Sequence, residues 1–246
     1  MSRILIIGDS YGEGEWIHKK NTHRGLEKYL LEHGCYVKNL SQSGFSNNDS
    51  IDTMCTQKLS EFDYIFWFTT DPLRDYRSKD IDSEGNRLLT IDKNKSIVAY
   101  TVEEIKQEIY RTMDLALARA NDIASTCTTG VHTIGGCYAP DPKLIEKYNN
   151  VHIGCENFNS LLEFDFPEDF RGANIPGRID DLPGTERVYF SSEVIEYLKG
   201  LTDIVWSFNN TYPEYFTEHD NHPNRKAHKI LADYLVSRFN LTPYGC

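Results

Sequence analysis

The chain has 246 residues, of which 39% are hydrophobic and 26% charged, and its formal net charge is -11. This length and composition exclude a disordered chain and are ample for a sizeable core. An acidic surface repels phosphate backbones, so we expect no general nucleic-acid partner. No apolar run approaches the roughly 20 residues that span a bilayer, and no signal-peptide pattern is present, so we expect a cytoplasmic protein without a membrane partner.

The first third of the chain alternates short apolar runs with helical patterns. The run Arg3-Ile4-Leu5-Ile6-Ile7 ends at Gly8-Asp9-Ser10, which predicts a buried strand followed by a turn. A helix, a strand, a helix and a strand are then predicted at residues 25–34, 36–40, 48–59 and 63–68. The last of these strands is apolar on both faces, which predicts a central place in the sheet.

The rest of the chain continues this alternation around two polar surface insertions, near residues 72–100 and 156–200. A capping box formed by Thr101 and Glu104 opens a long helix. Two further strands and a last helix are predicted at residues 130–136, 150–154 and 224–239. This order predicts one domain over residues 1–246, a three-layer α/β/α sandwich with a flavodoxin-like, five-stranded parallel sheet.

Several residues with chemical potential follow the carboxyl ends of the predicted strands. They are Ser10, Gly44, Thr70 and the pair Gly135-Gly136. Ligands of open parallel sheets bind outside these strand ends. We therefore expect these residues to share one edge of the sheet.

Ser10 and the segment Asp220-Asn221-His222 contain the three residue types of a nucleophilic serine system. A serine hydroxyl needs a base to take its proton, and a histidine that is oriented by a carboxylate is suited to that task. Each part also has a structural explanation, because Ser10 can cap a helix and His222 can simply enter one. Their occurrence at opposite ends of one α/β chain favours a catalytic assembly of Ser10, His222 and Asp220.

These segments resemble the blocks of the GDSL/SGNH hydrolase family. The matching blocks are Gly8-Asp9-Ser10, Ser43-Gly44, Phe68-Thr69-Thr70-Asp71 and Asp220-Asn221-His222-Pro223-Asn224. The run from Gly8 to Trp16 is similar to a tailed-phage-type branch, which would allow a virion or lysis-released location. The resemblance implies ester hydrolysis through an acyl-enzyme, with Ser10 as nucleophile, His222 as proton relay and Asp220 as its orienting acid, without a cofactor.

Two positions depart from the family's pattern. Thr70 stands where the family has its oxyanion asparagine, and its hydroxyl is shorter and its rotamer more constrained. The acid lies two residues before His222, whereas many members have it three before; that position is His219, and Glu218 is the fallback acid.

The oxyanion donors expected from the sequence are mainly backbone groups. We expect them to be the N–H groups of Ser10 and Gly44, with a side-chain donor added by Thr70 or Asn48. The glycine also has a structural explanation, as a turn residue with positive φ.

The polar loops favour a small acyl group on a polar carrier, such as an O-acetylated sugar. Trp16 is a candidate for stacking on a sugar and Arg74 for recognising an anion. Each also has a structural explanation, Trp16 as a core or rim residue and Arg74 as part of a solvated face or a salt bridge.

Other functions stay open at this point. An acyltransferase would use the same triad, and a binding or structural protein would keep the fold without catalysis. A metal site could be built from His219, His222, His228 and Asp220, and Cys137 could act as a thiol nucleophile, although we expect no metal. The cysteines show no CxxC spacing and are expected to be free thiols.

Overall fold

The structure is a computed structural model that describes residues 1–17, 20–76, 97–127, 129–162, 188–206, 208–218 and 221–243. The strands are β1 (Arg3–Ile7), β2 (Glu15–Ile17), β3 (Lys20–His23), β4 (Tyr36–Asn39), β5 (Tyr64–Thr69), β6 (Ile97–Ala99), β7 (Val131–Gly135), β8 (Val151–Cys155) and β9 (Val188–Phe190). The helices are α1 (Ser10–Glu13), α2 (Gly25–Glu32), α3 (Asn47–Cys55), α4 (Val102–Ala124), α5 (Pro142–Ile145), α6 (Ser192–Trp206), α7 (Phe208–Thr211) and α8 (Arg225–Phe239). Short 3-10 helices cover Leu59–Glu61, Pro72–Tyr76 and Phe158–Leu162.

A five-stranded parallel sheet forms the centre of the fold, in the order β4-β1-β5-β7-β8. Each strand lies within one or two residues of a predicted one. The sheet is covered by helices on both faces, so the predicted α/β fold class is confirmed.

The two faces of the sheet are filled by alternate residues of the same strands, because successive strand side chains point to opposite sides. Ile4, Ile6 and Phe66 belong to the cluster that packs on α2 and α8. Leu5 and Trp67 belong to the cluster that packs on α3 and α4. This two-sided burial explains why β1 and β5 read as continuous apolar runs.

Two small strand pairs were not predicted from the sequence. The strands β2 and β3 form an antiparallel hairpin just after α1, and β6 pairs in parallel with β9. A third apolar cluster, which includes Ile105, Ile109 and Leu198, packs α6 against α4. Most of the two predicted insertions, residues 77–96 and 163–187, lies outside the described residues, and the single-domain organisation stays a prediction.

The longest described helix, α4, buries one side and exposes charged residues such as Glu103 on the other. No helix in the described part of the chain is long and apolar enough to cross a membrane.

Candidate active site

Ser10 lies at the carboxyl edge of the sheet, where the chain passes from the end of β1 into α1. Gly8 has a φ of +147°, and a Cβ atom there would lie 2.6 Å from the Cβ of Phe68. Only glycine therefore lets the chain pass this close to β5 and turn sharply. The turn places Ser10 as the first residue of α1, with its side chain on the rim.

His222 meets Ser10 across this rim although 212 residues separate them. Its Nε2 atom lies 2.8 Å from the Ser10 Oγ atom, within the range of a functional serine–histidine hydrogen bond. A neutral His222 with its proton on Nδ1 accepts the Ser10 hydroxyl at Nε2. The structure thus brings the predicted nucleophile and the predicted base into direct contact.

The His222 loop is folded back on itself before α8 begins. The His222 carbonyl accepts from the Thr217 N–H at 2.8 Å, and the His222 N–H donates to the Thr217 hydroxyl at 3.3 Å. Asn221 adopts a left-handed conformation with φ of +50°, and Asn224 caps α8 by accepting from the N–H groups of its first turn. These local bonds shape the loop and attach it to α8.

The predicted acid Asp220 and its neighbour His219 lie outside the described residues, so the role of Asp220 stays a prediction. Glu218, the fallback acid, is described and is exposed to solvent.

A buried carboxylate lies directly beneath the nucleophile. Asp9 is fully buried and its Oδ2 atom accepts from Thr70 Oγ1 at 2.7 Å, Arg74 Nη1 at 2.8 Å and Cys137 Sγ at 3.1 Å. Its Oδ1 atom accepts from the Tyr11 N–H at 3.0 Å, which caps α1. We refer to Asp9, Tyr11, Thr70, Arg74 and Cys137 as the Asp9 network. It supplies the partners that a buried charge requires.

The electrostatics of this network keep its members in defined states. Burial alone lowers the pKa of Arg74, but the adjacent Asp9 carboxylate, with Cys137 and Asp71, raises it above the usual value, so Arg74 stays a cation. Burial, followed by Cys137 and Asp9, raises the pKa of Tyr11 well above its usual value, so Tyr11 stays neutral.

Thr70 does not have the role predicted from the sequence. Its hydroxyl carries one proton, and that proton goes to Asp9. Its backbone N–H donates to Asn47 Oδ1 at 3.0 Å, and its carbonyl accepts from Asn47 Nδ2 at 2.7 Å. In this arrangement Thr70 has no donor left for an oxyanion, contrary to the prediction.

Asn48 and Arg74 each have a partner that the sequence did not indicate, and the oxyanion role of Asn48 stays a prediction. The Asn48 Oδ1 atom accepts from Arg119 on α4 at 3.0 Å, at an exposed junction where Arg119 also pairs with Asp52. Arg74 is 7% exposed and its charge is matched by Asp9, so the structure favours the salt-bridge alternative for this residue.

Two backbone N–H groups, those of Ser10 and Gly44, were predicted as oxyanion donors. Within the described part of the chain, the N–H groups of Ser10 and Gly44 donate to no protein acceptor. The loop that carries Gly44 lies along α1, because the Gln42 N–H donates to the Gly8 carbonyl and the Ser43 N–H donates to Glu13. Gly44 has a φ of +77°, and a Cβ atom there would meet no other atom within 4 Å, so its backbone conformation, not crowding, requires glycine.

Aromatic rings cover the base. The ring centroid of Tyr11 lies 5.8 Å from that of His222, and the centroid of Trp16 lies 6.1 Å from it. Trp16 is half-buried on β2, so the predicted substrate-binding tryptophan lies beside the predicted base.

Sequence reasoning missed the Asp9 network and the partner of Glu15. Glu15 is buried and forms an ion pair with Arg225 at 2.7 Å. The available signal was that Asp9 directly follows a strand predicted to be buried, since a charge close to a core needs a partner.

Cys137 and His228 were candidates for a thiol nucleophile and for a metal ligand. The Cys137 thiol donates to Asp9. His228 is fully buried against Phe158, and burial lowers its pKa to about 3. Among the described residues no group of three His, Cys, Asp or Glu side chains is arranged to hold a metal ion. The five described cysteines are free thiols.

Comparison with known proteins gives distant structural likenesses only. No family model matches the sequence, and no curated protein matches it. A solved lipolytic protein of the G-D-S-L family from Desulfitobacterium hafniense DCB-2 is similar with a TM-score of 0.48 and 14% identity, over 97% of this chain and 99% of that chain. A G-D-S-L family member from Veillonella parvula DSM 2008 has a TM-score of 0.44 and 14% identity over 98% and 99% of the two chains. A lipase/acylhydrolase from Enterococcus faecalis has a TM-score of 0.42 and 13% identity over all of both chains. At such distances the assignment of an activity rests on the geometry of the site.

Proposed function

We propose that the protein is a serine ester hydrolase that works through an acyl-enzyme. The observation that carries this proposal is the 2.8 Å contact between Ser10 Oγ and His222 Nε2 at the carboxyl edge of the sheet. A serine that is hydrogen-bonded to a histidine is activated for attack on a carbonyl carbon.

In the first half of the reaction, Ser10 Oγ attacks the ester carbonyl while His222 takes the hydroxyl proton. The imidazolium then donates that proton to the leaving alcohol, and an acyl group remains on Ser10. In the second half, His222 takes a proton from water, which attacks the acyl-enzyme. The acid is released as the bond to Ser10 Oγ breaks, and the imidazolium returns the proton to Ser10 Oγ. We assign Asp220 the role of holding the His222 tautomer, as in other serine systems.

The tetrahedral intermediate carries a negative charge that needs donors. The Ser10 and Gly44 N–H groups are the candidates, because neither donates to a described protein acceptor. Each such donor is worth a factor of about 10²–10³ in kcat. Since Thr70 donates to Asp9, we propose an oxyanion hole made of backbone groups.

For the substrate we propose a small, acetyl-like acyl group on a polar carrier, with a carbohydrate ester as the leading class. Trp16 supports this choice, because a half-buried indole beside His222 offers an apolar face for a sugar ring. Arg74 no longer supports an anionic carrier, since Asp9 matches its charge. The cytoplasmic location stays a prediction from the sequence.

The proposed hydrolase is tested with p-nitrophenyl acetate and a fluorophosphonate probe on the wild-type protein, Ser10→Ala and Ser60→Ala. Ser60 is an exposed serine on another part of the surface and serves as the matched control. We expect Ser10→Ala to lose hydrolysis and labelling while Ser60→Ala keeps both. Equal hydrolysis by Ser10→Ala and the wild type would rule out Ser10 as the nucleophile.

A product assay separates hydrolysis from acyl transfer. The purified protein is incubated with an acetyl ester in water alone and with an added sugar acceptor. We expect free acetate as the main product in both. Acylated sugar as the main product would assign the same triad to an acyltransferase.

A further inference from the structure

We propose that Glu15 and Arg225 form a clamp that positions His222 against Ser10, with Glu15 and Arg225 acting as positioning residues. The proposal rests on the proposed ester hydrolysis, because positioning matters only if His222 serves as the base. The pair is called the Glu15–Arg225 clamp.

The clamp consists of several hydrogen bonds on one buried carboxylate. Glu15 Oε2 accepts from the Arg225 backbone N–H at 2.7 Å and from its Nε atom at 3.2 Å. Glu15 Oε1 accepts from Arg225 Nη2 at 2.7 Å and from the Thr22 hydroxyl at 3.0 Å. The Glu15 side chain is 4% exposed, so these bonds stand in for water around a buried charge.

The position of the clamp in the chain connects the two halves of the site. Glu15 begins β2, five residues after Ser10 and directly before Trp16. Arg225 begins α8, three residues after His222. The clamp therefore ties the segment that carries the nucleophile to the segment that carries the base, across 210 residues of sequence.

Among the described residues, the hydrogen bonds of the His222 backbone stay within its own loop. The bonds between Thr217 and His222 fold the loop on itself, and the Asn224 cap joins the loop to α8. Core residues such as Leu231 hold α8 against the sheet. Loss of the clamp should therefore leave the fold intact while the distance between Ser10 and His222 becomes less well defined.

The clamp keeps its charges over the neutral pH range, so it can position His222 independently of pH there. Burial by itself raises the pKa of Glu15, but the hydrogen bonds from Arg225 and Thr22 outweigh this and lower it to about 2. Glu15 is thus ionised throughout the neutral range. The Arg225 N–H belongs to the first turn of α8, where backbone N–H groups have no acceptor within the helix and a carboxylate is favoured.

The experiment compares Glu15→Gln, Arg225→Met, the double variant and Arg225→Lys with the wild type. Lys229→Met is the matched control, because Lys229 is an exposed cation of the same helix and pairs with Asp233. For each protein we measure kcat and KM for p-nitrophenyl acetate, the rate of fluorophosphonate labelling, and the thermal midpoint.

We expect Glu15→Gln and Arg225→Met to lower kcat and the labelling rate by about 10- to 100-fold, because small misplacements of a catalytic group are costly. KM should stay within about twofold, since no substrate contact is removed. The double variant should be no slower than the slower single variant, and Arg225→Lys should recover part of the rate. Lys229→Met should match the wild type. The proposal would be overturned by clamp variants that fold but keep the wild-type kcat, or in which only KM rises.

A second measurement separates failure of the clamp from failure of the proposed function. Hydrogen exchange of the backbone amides of Thr217, His222 and Asn224 should be faster in Glu15→Gln, while exchange within α8 after its first turn should be unchanged. If the wild type and Ser10→Ala show equal hydrolysis, the proposed function fails and the clamp as stated fails with it, even where exchange accelerates. If the wild type is active and Ser10→Ala is not, unchanged exchange and unchanged kcat in Glu15→Gln overturn the clamp alone.

Discussion

Ser10 rests on the buried Asp9 network, whereas His222 rests on a loop that the Glu15–Arg225 clamp ties to the same region. Asp9 is 0% exposed and Arg74 7%, but the Arg225 side chain is 59% exposed. Both ion pairs lie close to the site and both involve a buried carboxylate. They differ in whether the cation is also buried.

This difference separates stability from positioning. Removing one member of a fully buried pair leaves an uncompensated charge in the core, which is strongly destabilising. Removing the Arg225 side chain, which is 59% exposed, should instead open Glu15 to the water that surrounds Arg225. We therefore expect changes in the Asp9 network to act mainly on folding, and changes on the His222 side to act mainly on the reaction.

The largest expected effect is that of His222→Ala on catalysis. Removal of the base should lower kcat for p-nitrophenyl acetate by about 10⁴- to 10⁶-fold, as for other serine systems. The free energy of unfolding should change little, because His222 is half-buried on a loop. His33→Ala removes an exposed histidine and is the control. A loss of less than tenfold in His222→Ala would show that His222 is not the base.

Arg74→Met should have the largest effect on stability. It leaves Asp9 buried without its cation, which costs about 3–5 kcal/mol in the free energy of unfolding measured with urea. Arg119→Met, which removes a surface pair with Asp52, should cost about 1 kcal/mol or less. If the two variants lost similar amounts of unfolding free energy, the buried ion pair of Asp9 and Arg74 would contribute no more to stability than the surface pair.

Thr70→Val tests the structural reassignment of Thr70. The variant keeps the shape of the side chain but removes the donor to Asp9. The free energy of unfolding should therefore fall by about 1.5–3 kcal/mol. The value of kcat should fall by less than about tenfold, because Thr70 is not an oxyanion donor in this arrangement. A fall of 100-fold or more with stability retained would instead support the oxyanion role predicted from the sequence.

The smallest expected effect is the pH dependence of the clamp's stability. The folded-state pKa of Glu15 is lowered from 4.5 to about 2, so its stabilising contribution is complete above pH 4.5 and is lost as the pH falls towards 2. The difference in unfolding free energy between the wild type and Glu15→Gln should be about 1 kcal/mol at pH 7, because Arg225 is exposed. It should shrink when urea unfolding is repeated at pH 3. Glu32→Gln, at an exposed pair with Lys28, should show no such difference.

The fold was largely predictable because its signals are local. The central strands are continuous apolar runs, and Thr101 and Glu104 form a capping box before α4 as expected. The hairpin of β2 and β3 was missed because its strands, Glu15–Ile17 and Lys20–His23, are short and mostly polar. The pair β6 and β9 was missed because β6 follows a long polar stretch.

The site was predictable only in part. Ser10 and His222 were identifiable because their residue types suit one reaction and their places in the strand order bring them to one edge. The structure differs from the expectation at Thr70, because a residue type does not reveal which acceptor its proton reaches. The partners of Asp9 lie 61, 65 and 128 residues away in the chain, so no local pattern joins them.

The sequence by itself determined the order of strands and helices and the residues at the carboxyl edge, because hydrophobic periodicity and capping act over a few residues. The tertiary structure alone decided which polar groups pair beneath and beside that edge. Each buried polar group needs a partner, and only the folded chain brings that partner near. Thr70 and Arg74 therefore donate hydrogen bonds to Asp9, and Glu15 pairs with Arg225 at the start of the helix that follows His222.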